Sequence, residues 1–190
     1  MKFIRQFVAG ASISAFGITG LVGLGLAQGS FQSRLPMAIT SCGQSPDAFA
    51  VSLLCKRVKL EHTYNNILNP EGLKGLGTLV IVMGGSAKGL GEAGIDEKAE
   101  LARVSSLLAG AKAQGIKVIA VHVGGESRRG RLSDKFVLPV MDRSDCLLVT
   151  EAGNQDGLFT RTSRERNLPL VVVRLLSEVG TALKKIVSGS

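Results

Sequence analysis

Short runs of branched apolar residues recur along this chain, and a longer segment of helical period separates each from the next. TLVIVMG, KVIAVHVGG, CLLVTEA and LPLVVVRL are too short for core helices and show no polar alternation. Such runs read as strands buried on both faces. MAITSC precedes them as a first strand, and KLEHTYN is a weaker, alternating one. The helical segments between them are SPDAFAVSLLCKRV, IDEKAELARVSSLLAGAKAQG, SDKFVLPVMDRS (short, and expected to be interrupted by Pro139), FTRTSRERN and SEVGTALKKIV, with a short Asn-capped turn at NPEGLKG. Ser45 is expected to cap the first helix with Pro46 at its first position, and Gly115 to end the longest one. Strand and helix alternating six times imply parallel crossovers. The expected fold is therefore a doubly wound, three-layer α/β parallel sheet of flavodoxin-like strand order, with a Rossmann-like order as the alternative. A chain 45% apolar but only 4% aromatic suits such an aliphatic core.

The first 27 residues stand apart from this pattern. Lys2 and Arg5 precede an apolar run from Phe7 to Ala27, and Gly25-Leu26-Ala27 offers a small-x-small cleavage site before Gln28. The segment reads as a signal peptide or, if uncleaved, an N-terminal membrane anchor. Residues 28–36 read as a linker and 37–190 as a single α/β domain. Either reading of the N-terminus places the domain outside the cytoplasm, in the periplasm or at the cell exterior if the source is bacterial. Three cysteines are an odd number for an exported chain. Cys55 lies on a helix that carries it about 15 Å from Cys42, so no structural disulfide is expected.

The net charge is +8, and +6 without Lys2 and Arg5. Basic residues are spread thinly, apart from Arg128-Arg129-Gly130-Arg131 and the Arg161–Arg166 helix, and no aromatic side chains alternate with them. Nucleic acid is therefore not expected as a partner.

In doubly wound sheets, ligands bind beyond the carboxyl ends of the strands, at the switch in strand order. Four loops belong to that edge: SCGQSPD, GGSAKGLGEAGID, HVGGESRRGRLSD and EAGNQDG. Glycine, hydroxyls and charge gather there, whereas KAQGIK, DRSD and ERNLP on the opposite edge are ordinary turns. In the first loop Gly43 frees the chain, leaving Ser41, Gln44 and Ser45 to face the space over the switch point. The second is read as a flexible glycine-rich loop holding Ser86 and one cation, Lys88, its backbone N–H groups suited to an anion. Arg128 and Arg129 in the third suit a carboxylate or phosphate. In the fourth, Asp156 reads as the cap of the next helix, with ligand contact second.

Several chemistries fit poorly. Gly89-Leu-Gly91-Glu-Ala-Gly94 spells G-x-G-x-x-G, but Gly89 lies six residues past Met83 and Glu126 is 32 past Gly94. A dinucleotide fingerprint needs its glycines at the strand-to-helix turn and an acid about 20 residues on. No Gly-Lys-[Ser/Thr] occurs, which excludes a P-loop. Cys42 lies near a helix start, as an activated thiol would. The Cys42-to-Ser45 stretch nevertheless lacks a second Cys, and Ala48 stands where a phosphatase loop needs Arg. His122 sits within a strand and His62 is isolated. Two distant histidines and three scattered cysteines make no metal site, and no cofactor is implied.

Taken together, SCGQSPDA, VMGGSAKGLGEAGID, HVGGESRRGRLSDK and GNQDGLFT resemble a family of exported bacterial proteins known only as a domain of unknown function. The resemblance spans roughly residues 37–188. It implies export and a compact α/β domain, and brings no catalytic residues with it. The expected function is binding of a small anionic or polar ligand at the carboxyl edge, through Ser41, Gln44, Ser45, Ser86, Lys88, Arg128 and Arg129. One alternative is a hydrolase or transferase with Ser45 or Cys42 as nucleophile and His122 as base. Another is an accessory module for a membrane or envelope partner, which an exposed apolar patch away from the four loops would favour.

Overall fold

The computed structural model describes residues 31–125 and 128–189. The expected signal or anchor segment, with its cleavage site, lies outside the described residues. So do residues 28–30 of the linker and Glu126. Among the described residues, no helix is long and apolar enough to cross a membrane.

Six parallel strands form one sheet: β1 (Met37–Cys42), β2 (Thr63–Tyr64), β3 (Thr78–Met83), β4 (Lys117–His122), β5 (Cys146–Thr150) and β6 (Leu170–Val173). Their order is β2-β1-β3-β4-β5-β6. This is the flavodoxin arrangement extended by one strand, rather than the Rossmann order. The chain runs outward from β1 to β2, then returns past β1 to place β3 on its other side. The switch in order therefore falls between β1 and β3, which pair in register from Met37–Thr78 to Cys42–Met83.

Alternation along the strands distributes side chains to two cores. Met37 and Ile39 of β1, Val80 and Val82 of β3 and Cys146 and Leu148 of β5 pack under α1 (Asp47–Arg57) and α6 (Val179–Ser188). Ala38 and Cys42 of β1, Leu79, Ile81 and Met83 of β3 and Leu147 and Val149 of β5 face the other way. They pack under α2 (Ala87–Glu92), α3 (Glu97–Ala113), α4 (Arg131–Met141) and α5 (Leu158–Arg166). Three layers result. The linker residues 31–36 turn back along α6, where the Ser33 N–H donates to the Ile186 carbonyl at 3.1 Å.

Some elements depart from the sequence reading. The KLEHTYN run contributes only Thr63–Tyr64, an edge strand paired to Ala38 and Ile39. Its alternation has little to face, since both residues of the strand are exposed. The first helix begins at Asp47, with Pro46 rather than Ser45 in the capping position, although Ser45 Oγ still accepts the Asp47 N–H at 3.3 Å. α4 runs through Pro139 to Met141. The glycine-rich loop is not loose: Ser86 Oγ accepts the Gly89 N–H at 3.0 Å and caps α2 within it. Gly115 ends the α3 turn with φ +67°, as expected.

Candidate functional site

The switch point is closed by the protein's own backbone. The Gly84 N–H donates to the Cys42 carbonyl at 2.9 Å and the Ser86 N–H to the Gly43 carbonyl at 2.8 Å. Gln44 and Gly85 form an antiparallel bridge between the two loops. Glycine is what permits this approach: a Cβ at Gly43 would lie 2.6 Å from the Gly84 oxygen, and one at Gly89 would run into the Gln44 carbonyl.

Gln44 does not face the space over the switch. With φ +57° it turns inward and is buried. Its amide donates to Glu100 Oε1 at 2.9 Å and to the Asn66 carbonyl at 3.0 Å, and accepts from Asn66 Nδ2 at 3.1 Å. Glu100 is fully buried and also accepts the Gly43 N–H at 2.9 Å. Arg103 neutralises it from one turn away, with Nε to Oε2 and Nη2 to Oε1 both at 2.8 Å, and reaches the Ser41 and Leu68 carbonyls. A buried carboxylate is tolerated only when paired and hydrogen-bonded in this way. Sequence reading missed the pair, although Glu100 falls on the same helical face as Val104, Leu107, Leu108 and Ala111. An acid on an apolar stripe, with Arg three residues on, was the available signal.

The expected cations do not converge. Lys88 is largely exposed on α2 and pairs with Glu92 at 3.7 Å. Arg129 lies between Asp134 at 2.8 Å and Asp156 at 3.2 Å, and its guanidinium stacks on Phe159, 5.5 Å from the ring centroid. The stem of Arg128 lies against Gly124, where any Cβ would meet it. Asp156 is not the capping residue of α5, a place held by Gly157, but its Oδ1 accepts the Leu158 N–H at 3.1 Å from one residue before it.

The nucleophile and base of the hydrolase reading are not brought together. Cys42 faces the α3/α4 core, where its Sγ donates to the Phe136 carbonyl at 3.4 Å, and burial pushes its thiol far above the ordinary range. His122 is fully buried, 5.3 Å from the Phe159 ring, and its Nδ1–H donates to the Met83 carbonyl at 3.1 Å. No hydrogen bond links it to Cys42 or Ser45 among the described residues. Burial holds His122 below its ordinary 6.5. The Met83 carbonyl opposes this, Arg129 lowers the value further, and Asp47 and Asp134 raise it. A Ser–His contact does occur elsewhere: Ser52 Oγ donates to His62 Nε2 at 2.8 Å, and His62 Nδ1–H to the Leu60 carbonyl at 2.8 Å. Ser52 is only 1% exposed within α1, so the contact has no open face for a substrate carbonyl and anchors the chain after the helix.

The carboxyl edge has a different distinguishing feature. Ser41 Oγ, Asp47 Oδ2, His122 Nε2 and Thr150 Oγ1 are sealed from water and have no hydrogen-bond partner. Ser41 is the penultimate residue of β1, His122 and Thr150 are the last of β4 and β5, and Asp47 opens α1. Such atoms are rare in folded proteins, and each calls for an explanation. Ser33 Oγ is the fifth such atom among the described residues and lies in the linker.

The fold and its edge define a doubly wound α/β protein of flavodoxin order whose switch point is stitched shut and whose carboxyl edge holds unpartnered polar atoms. The chain belongs to the family described as a domain of unknown function (DUF6305), whose model matches residues 34–187. No curated protein and no solved structure gives a match.

Proposed function

We propose that this chain binds a small polar ligand over the carboxyl edge of its sheet, outside the cytoplasm. The observation that supports it is four unpartnered, buried polar atoms along this edge: Ser41, Thr150 and Asp47 on the α1 side of the sheet, and His122 on the opposite side against Phe159. An orphaned polar atom costs about 1–3 kcal/mol, and a ligand bearing matching groups recovers that cost when the edge opens to admit it, since each atom is sealed from water in the closed fold. The anionic version of the reading draws on Lys88, Arg128 and Arg129 with Ser45 and Ser86. Lys88 and Arg129 already hold carboxylate partners. The test is a melting-temperature screen of the full chain, in mild detergent, against sugars, amines, carboxylates and phosphates. At least one class raises the melting temperature, and Thr150→Val reduces that rise; the absence of any shift defeats the reading. Export is tested by N-terminal sequencing of the chain from a bacterial envelope fraction, which should begin at Gln28.

A second reading, docking to an envelope partner, is favoured by an exposed apolar patch. Phe49 and Leu53 share one face of α1 and are 51% and 47% exposed, and the Phe49 ring lies 5.8 Å from that of Tyr64 on edge strand β2. Under this reading, Phe49→Ser with Leu53→Ser releases the protein from sedimented envelope membranes without lowering its melting temperature.

A further inference from the structure

We infer that the amino edge of the sheet, opposite the candidate site, is the face this domain lays on a bilayer of anionic phospholipid. The inference is independent of any ligand at the carboxyl edge.

Charge that is thinly spread along the sequence is gathered by the fold. The amino edge consists of the helix ends and the turns leading into the strands: residues 31–36, 56–62, 72–77, 112–117, 142–145, 164–169 and 184–189. These segments hold twelve basic and four acidic residues, whereas the rest of the chain from Phe31 onward holds nine and eleven. The domain's whole positive excess therefore sits on one edge. All twelve cations are exposed. Among the described residues only two of them have a carboxylate partner, Lys117 with Asp145 at 3.3 Å and Arg166 with Asp142 at 2.8 Å. Helix C-termini favour cations, which accounts for Lys56, Arg57, Lys112, Arg164, Arg166 and Lys185. It does not account for Arg34, Lys59, Lys74, Lys117 and Arg143, which lie in the connecting segments or at the start of β4.

The place where the chain enters the domain names the partner. Residues 31–36 run beside the end of α6, with the Ser33 N–H on the Ile186 carbonyl and Gln32 next to Gly189. The apolar run Phe7–Ala27 ends four residues before Phe31. At most about 14 Å of chain separates that run from the amino edge. A bilayer that holds the run therefore has this edge as the nearest face of the domain. Anionic headgroups supply the negative charge that the edge lacks, and Leu35, 43% exposed among the cations, suits the headgroup boundary. Nucleic acid fits less well. The one Phe, Tyr or Trp in these segments, Phe31, is half-buried, which leaves no ring on which a base can stack. With this edge on the membrane, the carboxyl edge faces away from it.

The test reads which edge of the full chain faces lipid. Gln114→Cys at the amino edge and Gln155→Cys at the carboxyl edge, both exposed, each carry a fluorescent donor, the three native thiols being buried. Vesicles of phosphatidylcholine, alone or with phosphatidylglycerol, carry the acceptor. The two labels are separated by the length of the strands, about 20 Å, so with phosphatidylglycerol transfer from the amino-edge label exceeds the other about twofold or more. That excess is lost in 0.5 M salt. Lys56→Gln with Lys112→Gln and Lys185→Gln also removes it, whereas Lys98→Gln with Lys135→Gln and Arg174→Gln, exposed cations elsewhere, leaves it in place. Both sets leave the melting temperature nearly unchanged, as surface substitutions do. Equal transfer from the two labels overturns the inference, as does an excess that is the same without phosphatidylglycerol. Duplex DNA that abolishes the excess at equal phosphate concentration overturns it in favour of nucleic acid.

Discussion

A hydroxyl sealed from water without a partner weakens the free protein, and its removal should therefore strengthen it. Thr150→Val and Ser41→Ala each raise the stability of the unliganded chain by about 1 kcal/mol, read as a higher urea midpoint at unchanged slope. Thr40 is the control within the same strand. Its hydroxyl donates to the Asn66 carbonyl at 3.4 Å and accepts from Arg103 at 3.5 Å, so Thr40→Val lowers the midpoint. Equal effects at the three positions would remove the distinction on which the site is built. His122 adds a pH dependence. Its folded value lies below its ordinary 6.5, so the unfolded chain binds the proton more readily. Stability from this residue is complete above about 6.5 and declines as pH falls through the folded value. A melting series from pH 7.5 to 5 shows that decline in the native chain, and His122→Gln flattens it. Equal slopes in the two proteins would mean that His122 does not titrate in this range.

Among the elements, α2 and the loops it joins explain the glycine motif without a nucleotide. Gly89 is fixed by contact with Gln44, Gly94 has φ +64°, and Gly91 has nothing within 4 Å of its missing Cβ. Gly89→Ala therefore costs about 3 kcal/mol or prevents folding, while Gly91→Ala, in the interior of α2, stabilises by about 0.5–1 kcal/mol. Urea unfolding of the pair decides the matter, and similar behaviour would refute the stitched switch point. The sheet was legible in the sequence because its strands are continuous apolar runs that only a doubly covered parallel sheet accommodates. Strand order was legible as one of two alternatives. The site was less so. Gln44 looked available because a polar residue beside glycine usually faces water, and only the fold brings Glu100 from α3 beneath it. Lys88 and Arg129 were legible as charges, but their partners Glu92, Asp134 and Asp156 take shape only once the helices do. The unpartnered atoms left no mark at all in the sequence, since what a hydroxyl lacks depends on everything packed around it.

At the scale of the whole molecule, the three cysteines bear on where the chain can persist. All three are free and buried, on both faces of the sheet: Cys42 in the α3/α4 core, Cys55 and Cys146 in the α1/α6 core. Burial pushes the Cys55 thiol up to about 12 and, with the Asp145 carboxylate adding to burial, the Cys146 thiol to about 12 as well. The thiolate is the reactive form, so each sulfur is protected twice, by lack of access and by lack of ionisation. An oxidising compartment is then tolerable without any disulfide, which an odd cysteine would otherwise make hazardous. The expected outcome is that Ellman's reagent at pH 8 labels none of the three in the native chain over an hour, and all three at once in 6 M guanidinium. Intermediate labelling, one thiol reacting while the fold persists, would locate a local opening. If that thiol were Cys55, the opening would involve α1, the helix that carries Asp47.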